Sequence, residues 1–188
     1  MTMTLEEMKV LPEEEQKKII KRIRDVRKKA KVVTYSSLYG IREKKLARDL
    51  NCSVAFAKSL LDAFWKKNWA VKKVAENCEV KHTGQSMWLK NPVSGFWYQL
   101  RAEKDRLSTL NQGTGVYCFD TWVYFVRKLG AVVSGQWHDE ELNYVLGGKE
   151  QENSQLLQEA MVMTNSKLGL NVPLGIDIKY GNCYADVH

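Results

Sequence analysis

The sequence predicts an α+β fold that is mostly α: a helical lobe, then a lobe of antiparallel hairpins with packed helices. Three observations predict it. From Pro12 to about Trp69, charged and apolar residues recur at helical intervals, with one short break near Gly40. Between Cys78 and Leu100 the texture changes, and Gly84, Asn91-Pro92 and Ser94-Gly95 punctuate short runs such as SMWLK and FWYQL, a hairpin pattern. Further on, AVVSGQWHDEELNYVL reads as strand, tight turn, strand between two helical segments. The division falls at residues 1–78 for the helical lobe and 79–188 for the second.

The elements follow in order. EEEQKKIIKRIRDVRKKAKVV places Ile19, Ile20, Ile23 and Val26 among charges, as an amphipathic helix does. After the break, REKKLARDLN continues as helix. Ser53 reads as the N-cap of VAFAKSLLDAFWKKNW, with Phe56, Leu60, Phe64 and Trp69 on the apolar side. A helix is predicted from about Ala102 to Leu129 and another over EQENSQLLQEAMVMTNSKL. NVPLGIDIKYG is predicted as a final strand. There are no internal repeats and no low-complexity segment.

Composition narrows the function classes. The chain has 188 residues, enough for one good core or two small lobes, and 44% of them are hydrophobic, which fits a globular chain. Net charge is +7 with a pI near 9.2, which suits a polyanionic partner such as nucleic acid, though many soluble proteins are mildly basic. Cys52, Cys78, Cys118 and Cys183 form no C-x-x-C pair, so neither a zinc site nor a disulfide framework is signalled, and reduced thiols in a cytosolic protein are expected. MTMTLEEMKV is acidic and lacks an apolar core, unlike a signal peptide, and no apolar run is long enough to span a bilayer.

Three stretches carry candidate chemistry. In RKKAKVVTYSSLYG, Arg27, Lys31, Tyr35 and Tyr39 recur every four residues, which on a helix makes a slowly drifting stripe. Arg27 and Tyr39 would lie about 18 Å apart along the axis, about the length of a nucleoside triphosphate. The stripe reads either as phosphate-binding cations followed by sugar- and base-binding rings, or as a basic helix end running into a packed aromatic face. In GQWHDEELNYVL, the acidic groups beside His138 at a hairpin tip are either solvated turn residues or hard oxygen ligands of the kind Mg2+ selects. In RLSTLNQGTGVYCFDTW, Gln112 can donate to and accept from minor-groove base edges. Gly113 and Gly115 beside it admit either a nucleic acid or a neighbouring helix.

Together, in this order, the three segments resemble the C-terminal half of the polymerase region of family A DNA polymerases. RKKAKVVTYSSLYG matches motif B, R-x-x-x-K-x-x-x-[FY]-x-x-x-Y-G, at every defining position; WHDE matches motif C; LNQGTG matches the Q-G-T-A-A segment. GNCYADVH resembles the family's terminal G-x-N-W-x-x-x-H, with Tyr184 in place of Trp and His188 last. The resemblance covers about Arg24 to His188. It implies that the helical lobe is the fingers, and that the second lobe is the distal part of the palm. It implies that Arg27 and Lys31 bind the triphosphate of the incoming dNTP, with Lys31 a general acid for the pyrophosphate, that Tyr35 packs on the deoxyribose, and that Tyr39 guards the template-side pocket. It implies that Asp139 is a catalytic Mg2+ ligand supported by Glu140, and that His138 and Gln112 touch primer–template DNA.

The departures carry expectations too. Ser36 stands where the family has Gly, and Ser108 where it has a DNA-contacting Asn. Trp137 replaces a smaller residue, so something must make room for it. Glu141 replaces an apolar residue, which predicts a less buried strand. No D-[YF]-S motif A precedes Arg27, Asp25 sits on the helix beside the basic run, and thumb and exonuclease segments are absent from the sequence. The expectation is therefore a phage-type split polymerase, at work in the cytoplasm of an infected bacterium. A companion polypeptide would carry exonuclease, thumb and motif A, and this chain would be inactive alone. Two other readings remain: a fragment of a single-subunit RNA polymerase, disfavoured by Tyr35 and by H-D-E rather than H-D-S, and a non-catalytic primer–template-binding protein.

Overall fold

The computed structural model describes residues 4–187, the side chain of Leu5 aside; His188 lies outside the described residues. The chain folds as two compact units. One runs up to Asn77 and takes in Arg101–Ser108; the other holds Cys78–Leu100 and the chain from Thr109 on.

The first unit is helical. Thr4 and Glu7 form a reciprocal capping box on α1 (Leu5–Lys9). Next come α2 (Glu13–Leu38), α3 (Glu43–Leu50), α4 (Val54–Lys67) and α5 (Trp69–Asn77). Ser53 caps α4 as expected, its hydroxyl accepting from the Phe56 N–H at 3.2 Å. The run expected to continue through Trp69 breaks at Asn68, whose backbone N–H and side-chain amide both donate to the Phe64 carbonyl. The core is Leu46, Ala47 and Ala57, with Val32, Val33 and Leu61 packed on it. Only the last turns of α2 reach that core. Ile23 and Val26, expected on a buried face, are 56% and 61% exposed, and Phe56 and Trp69 are likewise exposed. Their spacing is helical as read, but these side chains are left more than half exposed.

The second unit contains the strands. β1 (Val80–Thr83), β2 (Ser86–Lys90) and β3 (Trp97–Leu100) form an antiparallel sheet in that order. After a 3-10 turn at Glu103–Asp105 comes α6 (Arg106–Lys128), then the hairpin β4 (Val133–Trp137) and β5 (Glu140–Asn143), α7 (Glu150–Leu168) and the short α8 (Tyr184–Val187). Leu89, Leu100 and Leu110 close one core between the three-stranded sheet and α6. Trp122, Val123, Phe125 and Val126 of α6 pack with Leu157 and Ala160 of α7 in a second. The strand expected over residues 171–181 does not form. Its alternation is real, since Ile176 and Ile178 both pack on that second core. What it lacks among the described residues is a neighbouring strand. The Asn165 amide instead clamps Leu174, donating to its carbonyl and accepting from its N–H.

Candidate functional site

α2 displays the stripe read at four-residue intervals. Arg27, Lys31 and Tyr35 are exposed along one side, and Tyr39, also exposed, is the residue that ends the helix. The other side is the packed one. Val33 and Ser37 lie two residues off the stripe, about 200° round the helix. Ser37 is buried, and its hydroxyl donates to the Val33 carbonyl at 2.7 Å. Packing therefore fixes the rotation of α2 and turns the stripe outward. The Lys31 ammonium lies 5.5 Å from the centre of the Tyr35 ring. Gly40 then takes φ +68°, and its N–H and that of Ile41 close onto Ser37 and Ser36. The left-handed turn that stops the helix is the physical need behind the terminal Y-G.

The Gln-Gly-Thr segment of α6 is explained by packing on the three-stranded sheet. Gly113 is buried, and a Cβ there would lie 2.8 Å from the Tyr98 ring of β3. Tyr98 donates from its hydroxyl to the Gly113 carbonyl at 3.4 Å. Within the chain, the close neighbour that requires glycine at 113 is thus a strand side chain rather than a second helix. Gly115 has nothing within 4 Å of its Cβ position. Thr114 accepts from the fully buried Asn91 amide at 2.9 Å, while the Asn91 carbonyl oxygen accepts from Val93 and Ser94. With Gly113 and Thr114 turned to the sheet, Gln112 is left exposed. Ser108 donates to the Asp105 carbonyl at 3.0 Å, back to the 3-10 turn that leads into its helix.

The acidic residues sit on the β4–β5 hairpin. Trp137 pairs with Glu140, leaving His138 and Asp139 as a two-residue loop, with His138 at φ +46°. His138 and Asp139 are exposed and Glu140 is half-buried. A bulge at Ser134 bends β4, and the Ser134 hydroxyl donates across to the Leu142 carbonyl. The Gln136 amide donates to Asp120 of α6 at 3.0 Å, anchoring the hairpin. Room for Trp137 comes from Gly135, two residues back on the same face, because any Cβ there would collide with the indole. The indole also faces the Tyr184 ring of α8 at 6.1 Å.

Glu141 departs from expectation. All four β5 positions are half-buried, and both Glu141 carboxylate oxygens are buried without a hydrogen-bond partner. Desolvation pushes its carboxyl up to about 7, against the smaller pull of the Asn143 side chain and the Arg127 guanidinium. Sequence reasoning missed this residue as a buried group. The signal available was its register with Gln136, which puts both on the side facing α6.

The hairpin's donors fit Mg2+ in kind but not in number. Asp139 and Glu140 offer the hard carboxylate oxygens that Mg2+ takes. Among the described residues, no group of three acidic, His or Cys side chains is placed to hold a metal. A complete octahedral site would need donors from outside this hairpin.

No protein-family model matches the chain. Over 178 residues it is 25% identical to DNA polymerase I from Bacillus caldotenax, a similarity covering 86% of this chain and 20% of that protein. Its fold matches a solved POL domain of Pol1 from M. smegmatis, a structure of that domain in complex with DNA primer-template and dNTP. The TM-score is 0.69 and the identity 21%, over 87% of this chain and 31% of that one. The fold is thus that of part of a polymerase domain, and the chain spans about a fifth of its curated relative and a third of the solved one. Among the described residues, no helix is long and apolar enough to cross a membrane.

Proposed function

We infer that this chain is the C-terminal fingers and palm part of a family A DNA polymerase that extends a primer 3′-OH with dNTPs. The observation that carries the reading is the outward motif-B stripe of α2, in a chain similar to DNA polymerase I across most of its length. Exposed Arg27 and Lys31 suit a triphosphate. Two cations aimed at a transferring phosphoryl group lower the cost of the charge that develops there. Lys31 acts as the general acid for the leaving pyrophosphate. Tyr35 packs on the sugar, and Tyr39, at the helix end, borders the template base. Gln112 and His138 contact the primer–template.

Asp139 and Glu140 supply part of a Mg2+ site, and bound Mg2+ would activate the primer 3′-OH and stabilise the leaving oxygen. The incomplete donor set supports a companion polypeptide that brings the second aspartate, along with thumb and exonuclease. Residues 171–181 support it as well: they have strand alternation, Ile176 and Ile178 lie on the core, and no strand is paired to them among the described residues. Such an edge is a template for strand addition. A split replicase of this kind belongs in the cytoplasm of a phage-infected bacterium.

The test is primer extension with Mg2+ and dNTPs, using the chain alone, the chain with its co-purifying partner, and the partnered Asp139→Ala variant. Extension is expected only in the partnered wild-type sample. Extension by the chain alone would overturn the split site. DNA binding without extension in any sample would leave a non-catalytic primer–template binder.

A further inference from the structure

The outer face of the three-stranded sheet has a composition that the polymerase reading does not use. Cross-strand partners in an antiparallel sheet share a face. The register Lys81–Trp88–Gln99 and the pair Lys90–Trp97 therefore put these five side chains on one side. Leu89 and Leu100, on the other side, form the core against α6. The outer side thus presents two tryptophans among two lysines and an amide. The Lys81 ammonium stands 4.2 Å from the centre of the Trp97 ring and the Lys90 ammonium 5.7 Å from it. Glu79 holds both lysines, at 3.8 and 3.4 Å. Both lysine side chains remain exposed, at 61% and 44%.

We propose that this face binds single-stranded DNA, stacking a base on Trp97 while Lys81 and Lys90 engage the flanking phosphates. Every base has a π-face, so an aromatic platform with cations beside it grips a single strand without reading its sequence. Lys81 now occupies the ring. An exposed cation–π contact is weaker than base stacking, so an arriving base displaces the ammonium onto a phosphate. The cations exceed the acid in this cluster, so the face attracts a polyanion. The proposal deepens the polymerase reading by naming the strand, the unpaired template. Its test does not depend on catalysis.

The measurement is fluorescence anisotropy of labelled dT12 with the full chain, without metal, across a salt series. Trp97→Leu is expected to weaken binding roughly tenfold. Lys81→Gln with Lys90→Gln should weaken it and flatten the slope of log affinity against log salt by about 0.7 per lysine. Glu79→Gln, which frees both lysines, should tighten it, a gain that damage to the fold cannot produce. The Lys and Glu positions are exposed, so they report even where Trp97→Leu fails to fold. Absence of dT12 binding by the wild-type chain, or equal binding by all variants, overturns the proposal. Loss of primer extension with the dT12 pattern intact would sink the polymerase reading and leave this face standing.

Discussion

α2 and the β4–β5 hairpin carry their candidate groups by opposite means. On α2, the period of one long helix spaces four exposed side chains, and local packing only sets which way they point. On the hairpin, a two-residue loop carries the carboxylates. Its position depends on a bulge, a glycine beneath Trp137, a Gln136–Asp120 bond and a buried Glu141. The first region is written in spacing, the second in tertiary contacts. Substitutions on α2 should therefore change binding and rate with little loss of stability. Those under the hairpin or beneath α6 should change stability first.

The largest expected effect sharpens that contrast. If the proposed reading holds, Lys31→Ala should lower the rate of primer extension by the partnered chain roughly 10²–10³-fold, the usual cost of removing one preorganised stabilising group. Its side chain is exposed, so the thermal midpoint should stay within the scatter of ordinary surface changes. A rate near wild type would remove Lys31 from the proposed chemistry. A collapse in thermal stability would instead break the claim that the stripe stands free of the core.

Gly113→Ala probes the other kind of position. The new methyl would meet the Tyr98 ring at 2.8 Å, inside van der Waals contact. Overpacking of this sort costs about 1–3 kcal/mol. Adding Tyr98→Leu should return part of the loss, since the two residues are in contact and their effects are not additive. Denaturant melts of the two single variants and the double give the coupling directly. Additive losses would mean that the sheet does not press on α6 where the structure puts it.

The same contrast explains what the sequence disclosed. The α+β, mostly helical architecture was legible because helical period and turn residues are local signals. The cap at Ser53 and the end of α2 near Gly40 were read correctly for that reason. Ile23, Val26, Phe56 and Trp69 have helical spacing yet stand exposed, because spacing names a face without saying what covers it. Residues 171–181 have strand alternation but no ladder, because pairing needs a second strand that alternation cannot supply. That Gly113 needs to be small is legible in the sequence, but the residue that crowds it, Tyr98, is fifteen positions away in the chain, which no local signal gives.

Glu141 gives the smallest effect and the one most specific to the hairpin. Burial raises its carboxyl from the usual carboxylate range to about 7. A folded-state value above the unfolded one means the folded state holds the proton more tightly. The stabilisation is fully present below about pH 4.5 and is lost as pH rises through about 7. A difference of that size is worth at most about 3 kcal/mol, and partial solvation of a half-buried group reduces it to about 1–2 kcal/mol. Glu141→Gln should therefore melt close to wild type at pH 4.5 and above it at pH 8, in metal-free buffer. The substitution keeps the shape and removes the ionisation, so the difference between the two curves isolates the buried charge. If the curves run parallel, Glu141 is solvated, and the hairpin rests on α6 less closely than the Gln136–Asp120 bond implies. The two regions would then differ in spacing alone, with neither depending on a buried charge.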